Sequence, residues 1–191
     1  MDLSNGNKVP SSDQCYDLLK KYDVPDHIIR HSEAVSRVAV FLAVRLNGSG
    51  EHLSVEVIEA AALLHDITKM EGIKSGRDHA ETGRKLLEGL GFRRIGEIVG
   101  EHIRLHANRE TPWIREAEII NYADKRVMHT EIVALQERFE DLEDRYGMKG
   151  LDKELTERIK RAEQQAYELE KKIFSKLDFS PEELVQRMDT G

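Results

Sequence analysis

The sequence predicts an all-α fold, and two observations support this prediction. Apolar residues recur at three- and four-residue intervals along most of the 191 residues, as they do on one face of an amphipathic helix. No segment alternates apolar and polar residues in the way that is typical of a half-buried strand. A hydrophobic content of 39% and a charged content of 34% suit a soluble, helix-rich protein with a substantial core.

Capping residues, prolines and glycines predict where the N-terminal helices begin and end. The polar residues 1–12 are expected to form a disordered tail, and Val24-Pro25 should separate the first two helices, because a residue before proline disfavours helical geometry. Asn47–Gly50 and the glycine-containing segment Met70–Arg77 are expected to be loops. The expected helices cover Asp13–Tyr22, Pro25–Leu46, the run from Ser54 to His65, the run from Asp78 to Leu90, and Arg93–His106.

The C-terminal third predicts two long helices. One should begin near Trp113, continue through Met128 and end at Tyr146, before Gly147 and Gly150. A second apolar stripe runs from Leu155 to Leu177, so the two helices are expected to form an antiparallel hairpin. The segment Ser180-Pro181-Glu182-Glu183 then predicts a short terminal helix.

These elements divide the chain into a tail (1–12), a metal-binding helical domain (13–129) and a helical hairpin (130–191). The hairpin either completes the core of the same domain or serves as a dimerisation arm, since two long apolar stripes could pair with a second copy.

Charge and cysteine content limit the partners and the compartment. A formal net charge of −7 argues against broad binding to nucleic acid or to an anionic membrane, which needs a basic surface. A local metal site could still bind a small phosphorylated substrate. Because the single Cys15 cannot form an internal disulfide, a reducing cytoplasm is the expected location, with Cys15 as an ordinary residue of a helix face.

Six potential metal ligands lie on stripes that should face the core. A single His on such a stripe is more often a hydrogen-bonded core residue, but here five helices each contribute one ligand, and one of them contributes an adjacent Asp. A shared centre would satisfy all of them, whereas separate buried polar groups would be costly. Mixed imidazole and carboxylate ligands suit Mn, Fe, Co, Ni or Zn, as one ion or as two ions bridged by Asp66. The six residues are His31, His65, Asp66, His79, His102 and Asp124.

In this order and at these spacings, His31, His65-Asp66 and Asp124 resemble the HD-domain metal-dependent phosphohydrolases. The stretch Ala61–Lys69 is very similar to the central motif of that family, and the resemblance spans about Tyr16–Met128. The added His79 and His102 resemble the longer pattern of members with two metals, which include HD-type phosphodiesterases and bacterial diadenosine tetraphosphate hydrolases.

Two features depart from subgroups of that family. Thr68 stands where one subgroup has the glycine of His-Asp-Ile-Gly. No Gly-Tyr-Pro signature follows His102, which disfavours a cyclic dinucleotide phosphodiesterase of that class.

The resemblance implies a role for each matching residue. His31, His65, Asp66 and Asp124 would hold a first ion, while His79 and His102 would hold a second with Asp66 shared. Asp66 and Lys69 are the candidate catalytic residues, and Lys69 matches a phosphate-contacting lysine in position. The implied activity is hydrolysis of a phosphomonoester, a phosphodiester or a nucleotide by a metal-activated water. Weaker candidates for substrate binding are Arg104 and Arg126. His106 is a spare ligand or a substrate contact. The remaining histidines, His27, His52 and His129, are interpreted as surface residues.

Three other functions remain open on the sequence alone. The site could belong to a non-catalytic module that senses a nucleotide, although the intact ligand set disfavours this hypothesis. The same ligands could serve a di-iron oxygenase. A purely structural helical protein is the weakest alternative.

Overall fold

The computed structural model of this protein describes residues 8–106, 111–147 and 153–190. The fold is all-α, as predicted, apart from one short antiparallel pair of strands. Its elements, in chain order, are α1 (Ser12–Lys21), α2 (Asp26–Gly48), α3 (Val55–Leu64), α4 (Lys69–Ser75), α5 (His79–Gly89), α6 (Arg93–Gly100), α7 (Glu116–Lys125), β1 (Val127–Met128), β2 (Glu131–Ile132), α8 (Leu135–Leu142), a π-helical turn (Glu143–Gly147), α9 (Lys153–Phe174), a 3₁₀ turn (Pro181–Glu183) and α10 (Leu184–Asp189).

The N-terminal segment is more ordered than the sequence predicts where the structure describes it. Residues 1–7 of the expected tail lie outside the described residues, whereas Pro10 is buried. Ser11 then caps α1 reciprocally: the Ser11 N–H donates to Gln14 Oε1 (3.0 Å) and the Gln14 N–H donates to Ser11 Oγ (3.3 Å). Cys15 is fully buried in the core, and burial raises the pKa of its thiol to about 12. It is therefore an inert packing residue.

The long helix α2 forms the centre of the core and packs against α3 and α7, while α6 packs against α3 and α5. Its predicted stripe is buried, with Val35, Val38, Ala39, Leu42 and Leu46 all fully inaccessible. Pro25 precedes α2 as its N-cap residue, as expected of a residue that cannot donate within the helix.

The segment Met70–Arg77, predicted to be a loop, is largely the helix α4. Its two glycines have other functions. Gly76 ends the helix in the left-handed region (φ +70°), which suits a residue without a side chain. A Cβ on Gly72 would lie 2.8 Å from His79 Cβ, so Gly72 permits close packing of α4 against the start of α5.

Two predicted helix boundaries in the middle of the chain are also wrong. Helix α6 ends at Gly100, because the next N–H groups of Glu101 and His102 bond three residues back, to Ile98 and Val99, and so tighten the last turn. His102 therefore lies in the turn that follows α6. Helix α7 begins at Glu116 instead of near Trp113.

The helix predicted from Trp113 to Tyr146 is interrupted by a β-hairpin. Helix α7 ends at Lys125, and Val127 then pairs with Ile132, as Met128 pairs with Glu131. The β-branched Val127 and Ile132 favour extended backbone, and His129 makes the turn with a positive φ of 58°. Helical periodicity does not indicate this interruption, because apolar residues continue at similar intervals on both sides of it.

The C-terminal hairpin is formed by α8 and α9, which contact each other, and α9 also packs against α7. The predicted stripe of α9 is buried at Ile159, Ala166, Leu169 and Ile173. Gly150, expected to separate the two helices, lies outside the described residues. The predicted terminal helix is confirmed, since the Ser180 N–H donates to Glu183 Oε2 (2.9 Å) ahead of α10.

Among the residues that the structure describes, no helix is both long enough and apolar enough to cross a membrane.

Candidate metal centre

All six residues predicted as metal ligands converge on one place in the core. They are brought there by α2, by the turn after α3, by the first residue of α5, by the turn after α6, and by the end of α7. Their ligand atoms form two groups, and within each group these atoms lie within 4.8 Å of one another. The groups are His31, His65 and Asp124, and Asp66, His79 and His102.

The first group is centred on the carboxylate of Asp124. Its Oδ1 lies 3.1 Å from His31 Nε2 and 3.5 Å from His65 Nε2. His65 is fully buried, and its Nε2 has no hydrogen-bond partner within the described part of the chain. A buried nitrogen aimed at a carboxylate and left unpaired fits a metal ligand.

The second group is centred on Asp66. Its Oδ1 lies 3.2 Å from His79 Nε2 and 3.7 Å from His102 Nε2, and these two nitrogens are 3.2 Å apart. Two imidazole nitrogens at this separation are favourable only if a proton or a cation lies between the lone pairs.

Asp66 joins the two groups. While Oδ1 faces His79 and His102, its other oxygen, Oδ2, lies 3.4 Å from His65 Nε2 in the first group. The carboxylate is nearly fully buried (2% exposed). This arrangement suits a carboxylate that bridges two cations.

Backbone carbonyls fix the orientation of three of the imidazoles. Nδ1 of His31 lies 2.9 Å from the His129 oxygen, Nδ1 of His65 lies 2.7 Å from the Ala62 oxygen, and Nδ1 of His102 lies 2.7 Å from the Val99 oxygen. Since a carbonyl only accepts, Nδ1 carries the proton in each ring and Nε2 is left to bind a cation.

The electrostatics of the centre favour positive charge between the ligands. Burial alone would raise the pKa values of Asp66 and Asp124, but the neighbouring imidazoles hold both well below the usual range. Burial also opposes charge on His65, yet Asp66 and Asp124 raise its pKa to about 10. A divalent cation would take the place of that proton. Burial and the positive His65 lower the pKa of His102 to about 3, so His102 is neutral, the form that binds metals.

Lys69, predicted as a catalytic and phosphate-contacting residue, lies beside the centre. Its Nζ is 2.6 Å from Asp66 Oδ2, and the side chain is 36% exposed. Burial would lower the pKa of Lys69, but the carboxylate of Asp66 raises it, so the amine is charged.

Thr68, which departs from the His-Asp-Ile-Gly pattern, positions a ligand. Its hydroxyl donates to the His79 carbonyl (2.8 Å) at the start of α5. Thr68, at the position where that subgroup has glycine, therefore anchors the start of the helix that carries His79.

Sequence reasoning missed a pair of residues that hold His102. The amide of Asn121 donates to the carbonyls of His102 (2.9 Å) and Glu101 (3.1 Å), and the amine of Lys125 donates to the His102 carbonyl (3.2 Å). Burial lowers the pKa of Lys125 to about 8. In the sequence, both residues are only polar groups on an apolar helical stripe, with nothing that indicates their partners.

The position of Arg126 does not fit its predicted substrate-binding role. Its guanidinium is buried, with Nε donating to the Val133 carbonyl (2.6 Å), Nη1 lying 3.2 Å from Glu170 Oε2, and Nη2 donating to the Pro181 carbonyl (3.2 Å). These contacts attach the end of α7 to the C-terminal segments of the chain. They direct the Arg126 side chain toward those segments and not toward the candidate metal centre.

The other weak candidates are exposed. Arg104 lies on the surface just after the turn of His102. His106 is 64% exposed, with Nδ1 3.4 Å from Glu101 Oε1, and neither ligand group in the described segments includes it.

A cavity of about 550 Å³ opens next to the centre and contains His31 and Lys69 in its wall. Three arginines, Arg30, Arg138 and Arg145, also line it, and the sequence argument found none of them as site residues. Two of the three come from the C-terminal hairpin, whose position over the centre is not readable from periodicity. His27 and His129, interpreted as surface residues, are exposed but line the same cavity.

A second cavity, of about 270 Å³, lies on the other side of the Asp66–Thr68 segment. Its wall combines apolar side chains such as Tyr22 and Leu86 with polar ones that include Asp66 itself, and it shares Met70 with the larger cavity.

A family model for the HD domain matches residues 28–128, more than half of the chain. The chain therefore belongs to the HD-domain family. This family is part of a superfamily of the metal-dependent phosphohydrolase type. The matched range contains all six proposed ligands.

The chain is 31% identical over 166 residues to a tRNA (cytidine(56)-2'-O)-methyltransferase of Thermoplasma volcanium, with 79% of the chain and 45% of that protein covered. A protein of the same description from Picrophilus torridus is 32% identical, with 75% and 42% covered. An uncharacterised protein of Methanocaldococcus jannaschii is 27% identical, with 64% and 79% covered. The chain thus spans less than half the length of the two methyltransferases. No solved structure matches it significantly.

Proposed function

We propose that this protein is a metal-dependent phosphohydrolase that cleaves a phosphomonoester, a phosphodiester or a nucleotide. The observation that carries the proposal is the pair of ligand groups that share the carboxylate of Asp66. Mixed nitrogen and oxygen ligands suit Mn, Fe, Co, Ni or Zn.

The residues around the centre have complementary functions in this proposal. His31, His65 and Asp124 would hold one cation, His79 and His102 the other, and Asp66 would bridge them. Divalent ions bound here would polarise the phosphate and promote ionisation of a water molecule. Lys69, charged and partly exposed in the cavity wall, would orient a phosphate oxygen and hold the Asp66 carboxylate in its bridging position. The Nδ1 contacts to backbone carbonyls keep the imidazoles from turning during the reaction.

The first prediction concerns metal dependence. Chelation should abolish hydrolysis of p-nitrophenyl phosphate or its bis ester, and Mn, Fe, Co, Ni or Zn should restore it. His65→Ala should lower kcat at least about a thousandfold, because a metal ligand is lost with its charge stabilisation. The measurement is the release of p-nitrophenolate at a series of metal concentrations.

His52→Ala is the matched control, since His52 is an exposed histidine outside both ligand groups. It should hydrolyse the substrate at the rate of the parent protein. Failure of the metal-loaded protein to hydrolyse either ester or any member of a broad nucleotide panel would contradict the proposal.

A second candidate function rests on the names of two relatives. Both are tRNA methyltransferases, so methyl transfer to tRNA is a candidate activity for this chain as well. The chain spans less than half of those proteins, so the matched part need not carry their activity. An assay of methyl transfer to tRNA with the parent and His65→Ala proteins separates the two functions.

The same ligands also fit iron, so a di-iron oxygenase remains an alternative, tested by iron-dependent oxygen uptake. Nucleotide binding without turnover would indicate a sensing module. A cytoplasmic location and a homodimer formed through the C-terminal helices remain proposals, the second of which light scattering can test.

A further inference from the structure

We infer that Arg138 and Arg145 of the C-terminal hairpin bind a second phosphate of the substrate, so that this site acts on compounds with at least two phosphate groups. The inference rests on the proposed function and adds the substrate class to it. It also gives a function to residues 130–147, which the family resemblance did not explain.

The cavity that these arginines line borders the candidate metal centre at His31. His31, a ligand of the first group, and Lys69, which contacts Asp66, form part of the same wall as Arg138 and Arg145. A volume of about 550 Å³ is within the range of pockets that hold small organic ligands and exceeds what one phosphate fills. A phosphate held at the metal ligands therefore leaves space for the rest of the substrate beside the hairpin.

The charge of the cavity wall is opposite to that of the chain. Four cationic side chains line the cavity, and none of the lining residues in the described segments is Asp or Glu, although the formal net charge of the chain is −7. A phosphate monoester carries a charge of about −1.5 to −2 at pH 7, and divalent ions held by the six proposed ligands would neutralise the phosphate that is cleaved. The remaining cations fit a further anionic group. The four residues are Arg30, Lys69, Arg138 and Arg145.

Among the residues that the structure describes, the two hairpin arginines share a single acidic partner. One carboxylate, that of Asp141, serves both: its Oδ2 lies 3.3 Å from Arg138 Nη1 and its Oδ1 lies 2.8 Å from Arg145 Nε. The Nε of Arg138 is buried and has no hydrogen-bond partner among the described residues. Two guanidinium groups that share one carboxylate leave donors and one positive charge for a ligand, and their planar donor geometry matches phosphate oxygens.

His129 connects this anion site to the metal ligands. Its carbonyl accepts from His31 Nδ1 (2.9 Å), and its ring Nε2 accepts from Arg145 Nη2 (3.1 Å). The tip of the β-hairpin thus sets the position of a metal ligand and of an anion-binding arginine together, which fixes the separation of the two phosphates that the site can bind.

The test compares three adenosine nucleotides: the 5'-monophosphate, the 5'-diphosphate and the 3',5'-bisphosphate. The proteins are the parent, Arg138→Gln, Arg145→Gln and the control Arg158→Gln. Arg158 is an exposed arginine of α9 with an acidic partner one turn away, like Arg145, but does not line the cavity. Because Arg145 is 44% exposed, its variant keeps the test valid if Arg138→Gln does not fold.

The measured quantity is the kcat/KM of the better two-phosphate substrate divided by the kcat/KM of the monophosphate. We expect this ratio to fall about 10- to 100-fold in Arg138→Gln and in Arg145→Gln, because each variant loses one charged hydrogen bond. Arg158→Gln should keep the parent ratio. Preference for the diphosphate or for the bisphosphate shows whether the two phosphates are linked or separate. An unchanged ratio in both hairpin variants overturns the inference, while hydrolysis itself leaves the proposed function standing.

A binding measurement separates this inference from the proposed function. Calorimetry with the same proteins should show pyrophosphate binding more tightly than orthophosphate, and Arg145→Gln should lose about tenfold or more of that preference. This result without any turnover would support the anion site and contradict hydrolysis. A parent protein that binds pyrophosphate no more tightly than orthophosphate would overturn the inference.

Discussion

Asp66 is the residue whose carboxylate contacts both ligand groups. Its two oxygens face different groups, whereas His79 belongs to one group only. Substitution at these two positions should therefore have different consequences for the number of ions bound.

Asp66→Asn should remove the bridging charge and lower the affinity for both ions, whereas His79→Ala should remove only one ion per chain. For comparison, the loss of an outer partner of a ligand alone lowers metal affinity about 10- to 100-fold. Elemental analysis of the purified variants, giving metals per chain, measures both effects.

Asp26→Asn, at an exposed aspartate paired with Arg30, is the control and should keep the parent metal content. Equal metal content in Asp66→Asn and the parent protein would exclude Asp66 as a ligand.

At the residue scale, the sequence predicts which side chains cluster in the core better than it predicts which ones line the neighbouring cavity. His31 and Asp124 could be found because a polar side chain on a core-facing stripe needs a partner. Arg126 is polar and close to Asp124 in sequence, yet it faces Glu170. Arg138 could not be recognised in advance as a residue of the cavity wall, because that position depends on where the hairpin lies relative to the candidate metal centre.

Among the elements, α4 shows how a small residue positions a candidate metal ligand. Gly72 lies so close to the start of α5 that a Cβ would be 2.8 Å from His79 Cβ and 3.0 Å from the Arg77 carbonyl oxygen. The segment was predicted to be a loop because its glycines disfavour a helix, but one glycine permits packing and the other ends the helix.

Gly72→Ala should displace His79 and weaken the second ion without removing any ligand. Overpacking of this kind destabilises a fold by about 1–3 kcal/mol, which exceeds the helix propensity gained from alanine. Metals per chain and the midpoint of urea unfolding measure the two effects.

Gly89→Ala is the matched control, since a Cβ on Gly89 meets nothing within 4 Å and this glycine also lies on a helix. It should keep the parent metal content and stability. Full metal content in Gly72→Ala would show that His79 tolerates the displacement or is not a ligand.

The β-hairpin between α7 and α8 marks the limit of prediction at this scale. Val127 and Ile132 fit the apolar spacing of a helix as well as they fit a strand pair, so the helical pattern extended across them. The structure has a turn at His129 instead, with a φ of 58° and a carbonyl that accepts from His31 Nδ1, and neither feature is visible in apolar spacing.

For the whole molecule, ion pairs attach the C-terminal helices to the core. Glu170 lies 3.2 Å from Arg126, and Lys172 lies 2.8 Å from Glu118 of α7. The buried residues of α9 belong to the same core cluster as those of α2 and α3. The overall class was predictable because helical periodicity is a local signal, whereas these long-range pairs leave no signal in a single sequence.

Arg126→Met should lower the free energy of unfolding by about 3 kcal/mol, because Glu170 would lose its buried partner and two carbonyls would lose a donor. Urea denaturation followed by circular dichroism is the measurement. Arg93→Met is the control, since the exposed pair of Arg93 and Glu97 should contribute less than about 1 kcal/mol. A stable Arg126→Met protein with impaired substrate binding would instead support the phosphate-contacting role.

The left-handed backbone at His129 has a thermodynamic consequence. His129 contacts an imidazole of the candidate metal centre and an arginine of the proposed anion site, so binding at one of these sites would bias the conformation of the other. Linkage then requires reciprocity: if the anion strengthens metal binding by some factor, the metal must strengthen anion binding by that same factor.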